Sequence, residues 1–314
     1  MYINKISHYI PSERVPNSYF LKVNGLEDEW IFQRTGIKTR SKAAKNENTN
    51  SMATEASKKL AKELDFPISE VDLIVGATYS PYDTVGTLAH AVQRSLNITN
   101  AKVVSISSAC SSFINAIEIV EGYFAMNKAE KALIVASEHN TAYAKPTNPI
   151  DGHLWGDGSV AVLVSKNKLS DKDILIKDVI TQGLAHEGEG NFGVMLHPEE
   201  GGISMPHGHD VYLYAIKYMA ELPMQLLKRN NMELSDIDYL VPHQANIRII
   251  NKVAKKLKIS KDKIFINIEE LGNTGCASSP IALSQNIHKL KKDDIVMMSV
   301  FGGGYSGGAV ILKV

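Results

Sequence analysis

The sequence predicts an α/β protein built as two similar halves, residues 1–165 and 166–314, and three observations carry that reading. Short apolar runs rich in β-branched residues, DLIVGA (72–77), VVSIS (103–107), KALIVAS (131–137) and VAVLVS (160–165), alternate with helical patterns such as TLAHAVQRSL (87–96). Runs that stay apolar throughout, interleaved with helices of about ten residues, belong to parallel strands covered on both faces by crossover helices. The alternation then repeats. DLIV from Asp72 lies over DYLV from Asp238, an offset of 166 that also carries Cys110 onto Cys276 and Asn115-Ala116-Ile117 onto Ile281-Ala282-Leu283. KALIVAS matches DDIVMMS (293–299) at an offset of 162, and GSVAVLV (158–164) matches GGAVILK (307–313) in pattern. Finally, 314 residues at 44% hydrophobic content suffice for a large core in one or two domains.

Taken in order, the strand at 72–77 is followed by the helix at 87–96, then VVSIS. A helix starts immediately after Cys110 in SACSSFINAIEIVEGYF, and two strands follow it. Residues 183–209, rich in Gly, His, Pro and Glu, read as a loop at a surface or mouth. AIKYMAELPMQLLKRN (215–230) resumes a helix, and the β–α alternation returns from Tyr239.

Composition excludes several classes. With 34 basic and 34 acidic side chains the net charge is zero, so nothing argues for nucleic acid or a membrane surface. No apolar run reaches transmembrane length, and MYINKISHYIP has no signal-peptide core. Two cysteines make no disulfide framework, which predicts a reducing cytoplasm, and the absence of CxxC or HExxH spacing predicts no metal site.

Cys110 stands where an apolar strand meets a helix. Free N–H groups and the positive end of that helix would stabilise a thiolate; the competing reading is a small buried apolar residue. The second half supplies further residues at comparable places. VPHQANIRII sets His243 just after a strand, GNTGCASSPIAL sets Asn273 just before a helix, and FGGGYSGGAVIL sets Gly302 to Gly304 between two strands. Each has a plain structural reading, a hydrogen-bonding His or a turn-forming Asn. The duplication brings the strand ends before them together where the halves face each other.

EWIFQRTGIKTR, SACSSF, WGDGS, PHQANIRII, GNTGCASSPIAL and FGGGYSGG follow one another along the whole chain, and in this order and spacing they resemble the β-ketoacyl-acyl-carrier-protein synthase III family of the thiolase superfamily. The resemblance implies a five-layered αβαβα duplication, usually a homodimer. It implies a catalytic triad of Cys110, His243 and Asn273 and no cofactor, with acyl-CoA or acyl-carrier protein as substrate. In that chemistry the Cys110 thiolate attacks an acyl thioester. The oxyanion is met by the backbone N–H groups of Cys110 and Gly303. His243 and Asn273 then stabilise the enolate formed when a malonyl thioester loses CO2, and the enolate carbon attacks the acyl-enzyme. Thiolases carry a second cysteine beside the C-terminal glycine run, but here Ser299, Val300 and Phe301 precede it, so Cys276 reads as a packing residue.

The resemblance also assigns binding residues. Trp30 and Arg34 match residues that sandwich the adenine of coenzyme A, by stacking on an aromatic face and a planar guanidinium; the alternative for Trp30 is packing on the core. Arg248, Lys255 and Lys256 match a basic face that docks acidic carrier protein, and a solvated helix face is the alternative for the lysine pair. Val85 matches the position that reaches across the dimer to floor the acyl pocket. Asp157, between two glycines, reads as a scaffold residue. The sequence departs from the family where Pro149 stands near the place of an arginine, where FTWG is YSGG and where ACAG is ACSS, which marks a specialised branch. Two alternatives remain at this level: an acyltransferase of this fold serving an amine, alcohol or other nucleophile, and a non-catalytic partner subunit of a condensing complex. Retention of Cys110 opposes the second.

Overall fold

A computed structural model describes residues 1–314. In chain order its elements are β1 (Tyr2–Tyr9), β2 (Glu13–Pro16), α1 (Ser18–Asn24), α2 (Asp28–Thr35), β3 (Thr39–Lys42), α3 (Thr49–Ala61), β4 (Leu73–Ala77), α4 (Leu88–Ser95), β5 (Lys102–Ile106), α5 (Ser112–Ala125), β6 (Lys131–His139), β7 (Asp157–Ser165) and β8 (Ile174–Gly183). They continue with β9 (Met195–His197), β10 (Gly202–Ser204), α6 (Gly208–Arg229), β11 (Tyr239–Pro242), α7 (Ile247–Lys256), α8 (Ile268–Leu271), α9 (Ser278–Asn286), β12 (Ile295–Gly302) and β13 (Ser306–Lys313).

The large sheet runs β11-β12-β13-β8-β1-β7-β6-β4-β5. Its two sides correspond strand for strand. β4 and β5 pair in parallel, as do β4 and β6, and β7 and β1 continue antiparallel. On the other side β11 and β12 pair in parallel, with β13 and β8 antiparallel beyond them. The counterpart of β5 survives as a single parallel bridge, Leu240 to Ile264, reinforced by the Phe265 N–H donating to the Leu240 carbonyl. The two sides meet where Tyr2 and Ile3 pair with Leu175 and Ile174.

Side-chain alternation explains the continuously apolar runs. In β6, Ala132, Ile134 and Ala136 enter a central core, while Leu133 and Val135 enter a second one with α3 and α4. The central core holds Phe113, Ile114, Ile117 and Val120 of α5 and Ile281, Ala282 and Leu283 of α9, with strand residues from both sides of the sheet. A third core packs Met219, Leu222 and Leu226 of α6 and Ile250 and Val253 of α7 on Met297, Ala309 and Ile311. The succession α3/α4, strands, α5/α9, strands, α6/α7 is the five-layered arrangement.

Two expectations change. Residues 183–209 are not wholly loop: β9 and β10 form a small hairpin, Gly202 to Ser204 pairing with His197 to Met195. Helix α6 begins at Gly208, ahead of the expected start, and carries Pro223 in its interior. Strands β1 and β8, with mixed buried and half-buried residues, gave no periodic signal in the sequence. No helix is long and apolar enough to cross a membrane.

Candidate active site

Parallel strands deliver the residues that follow them to one edge of a sheet, and this fold uses that edge twice. Beyond β5 the chain turns sharply through Ser108, Ala109 and Cys110 before α5. Ala109 takes φ +48°, an uncommon left-handed conformation for alanine. The turn is held by the Ser112 hydroxyl donating to the Ala109 carbonyl and by Ser306 Oγ donating to the Ser108 carbonyl at 2.8 Å. Beyond β11, His243 continues the ladder with its N–H on the Ser299 carbonyl. Asn273 is locked by main-chain bonds, its N–H to the Leu154 carbonyl and its carbonyl to the Gly156 N–H.

Cys110, His243 and Asn273 line one cavity of about 360 Å³ together with Gly302, Gly303 and Gly304. The glycine run lies directly against the Cys110 turn: a Cβ on Gly302 would stand 2.5 Å from the Cys110 nitrogen, so only glycine fits. Most of the remaining wall is apolar, including Met205, Met219 and Ile249, and the β9–β10 hairpin contributes Met195, Leu196 and Ile203.

The polar groups are oriented by their neighbours. His243 Nδ1 lies 2.8 Å from Ser278 Oγ, which also accepts from the Gln244 N–H at 3.3 Å. The Ser278 hydroxyl proton is therefore best used on Nδ1, which places the imidazole proton on Nε2. Burial pulls the His243 pKa down to about 4, so the ring is neutral at pH 7. Asn273 Oδ1 accepts from the Gly275 N–H at 3.0 Å, which leaves its NH2 group as the free end. The site thus offers two neutral donors.

The Cys110 thiol corrects an expectation. Burial pushes the Cys110 thiol up to about 12, with the Glu138 carboxylate adding to the rise. The N–H groups of Gly303 and Cys110 oppose this. The helix start helps less than expected, because the Ser111 and Ser112 N–H groups already serve the Ser108 and Ala109 carbonyls.

Residues 104–183 match the family description 3-oxoacyl-[acyl-carrier-protein (ACP)] synthase III, and residues 227–314 match its C-terminal counterpart. A β-ketoacyl-[acyl-carrier-protein] synthase III of Aquifex aeolicus is 34% identical over 307 residues, covering 97% of this chain and 96% of the relative. The chain belongs to the β-ketoacyl-[acyl-carrier-protein] synthase III family. A relative of the same name from Ehrlichia canis is 32% identical over 311 residues, 98% of each chain. The crystal structure of the Aquifex aeolicus VF5 enzyme superposes with a TM-score of 0.92 at 33% identity, covering 100% of this chain and 99% of that one. These are synthase III proteins of the thiolase-like fold expected from the sequence.

The other anticipated residues are distributed around this centre. Trp30 and Arg34 stack on each other on α2, the guanidinium carbon 4.2 Å from the ring centroid. Trp30 is half-buried, edge-on to His153. Helix α2 packs on α7, where Arg248 is exposed beside Ile249 of the cavity wall and Lys255 and Lys256 are exposed in the last turn. Val85 does not line the cavity: it is 84% exposed in a turn capped by Asp83, which accepts from its N–H. Cys276 is buried in the central core. Asp157 is a scaffold residue whose carboxylate accepts from the N–H groups of Ala43 and Thr141. Sequence reasoning missed Ser278, Tyr79 and the hairpin wall; SSP after Cys276 and TYS after DLIVGA look like ordinary polar punctuation.

Proposed function

We propose that this chain is a decarboxylating condensing enzyme that joins a Cys110-bound acyl group to a malonyl thioester on acyl-carrier protein. The observation that supports it is the single cavity in which a cysteine, a neutral histidine and an oriented asparagine amide meet a close-packed glycine run. The first half of the chain, 1–165, supplies the nucleophile, and 166–314 supplies His243 and Asn273.

Acylation begins as Cys110 Sγ attacks the donor thioester carbonyl; the donor C–S bond breaks and the departing sulfur takes up the proton that Cys110 gave up. The Gly303 and Cys110 N–H groups meet the tetrahedral oxyanion. The malonyl thioester then enters, and its C–C bond to the carboxylate breaks. The electron pair becomes an enolate whose oxygen accepts from His243 Nε2–H and the Asn273 NH2 group. The enolate carbon attacks the acyl-enzyme carbonyl, forming the new C–C bond and releasing Sγ.

Acyl-CoA as a donor is supported by Trp30 and Arg34, where a purine inserted between ring and guanidinium would replace their mutual stacking. Carrier-protein docking is supported by the exposed cations Arg248, Lys255 and Lys256 on α7. A homodimer is supported by β5, an edge strand only partly covered whose free backbone groups suit pairing with a second copy. That arrangement would bring Val85 of the partner to the acyl pocket. The cytoplasm suits a chain with two free thiols.

Intact-mass measurement after mixing with a panel of acyl-CoAs and acyl-carrier proteins, followed by malonyl-carrier protein and detection of CO2, tests the reading. An acyl adduct on Cys110 and CO2 release on addition of the malonyl thioester are expected. An adduct that passes to another nucleophile without CO2 would refute decarboxylative condensation.

A further inference from the structure

Among the polar groups of the cavity that have so far had no part in this reaction is the Tyr79 hydroxyl. Tyr79 follows β4, which pairs in register with β5 (Ala77 opposite Ile106), and the Thr78 N–H donates to the Ile106 carbonyl. The residues leaving these two strands therefore emerge side by side, and Tyr79 and Cys110 line the same cavity. The Tyr79 hydroxyl is buried and completes no hydrogen bond. Its place depends on a glycine packed directly against it: a Cβ on Gly275 would stand 2.5 Å from the Tyr79 oxygen.

A buried hydroxyl without a partner is costly, so its persistence calls for a state in which it is bonded. Its polar neighbours are Asn140, whose Oδ1 is also unpartnered, and Cys110 of the same cavity. A neutral thiol is a weak acceptor, whereas a thiolate is a strong one.

We propose that Tyr79 is a further catalytic residue, its hydroxyl donating to the Cys110 thiolate as that anion forms for attack on the acyl donor. The proposal rests on Cys110 being the acylated nucleophile. It gives the anion a hydrogen-bond donor at a half-buried sulfur. No proton leaves Tyr79: its O–H turns toward Sγ when the thiol proton departs and turns back once the sulfur is acylated. The other titratable groups near this pair are Glu138 and Cys276, with His243 lining the same cavity. Burial holds Glu138 near 7, and its charging raises the thiol equally with or without the hydroxyl.

Tyr79→Phe removes the donor and keeps the ring. The test is the pH dependence of Cys110 alkylation by iodoacetamide, mapped by mass, in wild type and in Tyr79→Phe. Losing a charge-assisted hydrogen bond should move the profile up by about one to two pH units, and acylation at neutral pH should slow about tenfold or more. A profile that coincides with wild type overturns the proposal. Should Tyr79→Phe fold poorly, 3-fluorotyrosine at position 79, a stronger donor of nearly the same shape, decides it: the profile moves down if the hydroxyl serves the thiolate and stays put if it does not. A wild type that is not alkylated at Cys110 at any pH would instead sink the nucleophile assignment on which the proposal rests.

Discussion

The neutral state of His243 has a cost that can be measured. Its folded pKa of about 4, against an ordinary 6.5, means that below 6.5 the unfolded chain binds more protons than the native one. Stability from this group is therefore lost as pH falls from 6.5 through 4. Worked at pH 5, the loss is about 2 kcal/mol. His153 has the same displacement, through burial and the neighbouring Arg40 charge, and loses about as much. Glu138 acts in the opposite sense. Its folded pKa of about 7, against 4.5, favours the protonated native form, so acidification across that window returns about 2 kcal/mol. Wild type should thus lose roughly 1–2 kcal/mol net between pH 7 and 5 from these three groups. His243→Gln should remove its own share and leave the balance near zero, because terms common to both proteins cancel in the difference. Urea unfolding at the two pH values, at one fixed protein concentration, measures this. The same variant should slow malonyl decarboxylation by a factor on the order of 10² or more, as for other lost oxyanion donors. Equal acid losses in variant and wild type would show that His243 is not held neutral by burial, and the reasoning would fail.

Gly302→Ala should abolish acylation without unfolding the chain, since its Cβ would lie 2.5 Å from the Cys110 nitrogen; a variant with normal acyl-enzyme formation would separate the glycine run from the oxyanion site. Cys110→Ala should form no acyl adduct by intact mass, while Asn273→Ala should keep partial acylation and lose condensation on the order of 10²-fold. Reversing Arg248, or Lys255 and Lys256 together, to Glu should raise KM for the carrier-protein substrate and barely change acylation from a small thioester, an effect that should fade with salt; equal losses on both would point to folding. Val85→Phe should shift acylation from medium or longer toward short acyl groups, each buried CH2 offering about 0.8 kcal/mol; an unchanged chain-length profile would exclude Val85 from the pocket floor.

Much of this protein is legible because its physics is local. The run KALIVAS is apolar at every position because both faces of β6 are covered, and that condition is written directly in the residues. The duplication is visible for the same reason: equivalent strands in equivalent layers need equivalent patterns, even where β5 has dwindled to one bridge at Ile264 in the second half. The six motifs and their order single out Cys110, His243 and Asn273, which line one cavity. Other features are not written locally. The hairpin of β9 and β10 lies in a Gly- and Pro-rich segment whose pairing depends on the cavity it covers. Strands β1 and β8 carry mixed residues because each joins the two sides of the sheet and meets different surroundings along its length.

By itself, then, the sequence determined the layers, the repeat and the chemical types at the site, since these follow from periodicity and from which residues stand at strand ends. Only the tertiary structure decided their electrical state and aim. The thiol is raised by burial, the imidazole is neutral through burial and is aimed by Ser278, 35 residues away in the chain, and the Tyr79 side chain enters the Cys110 cavity where Gly275, on another element, leaves it room. Desolvation and hydrogen-bond direction are properties of the assembled space around an atom, and residues remote in sequence supply that space.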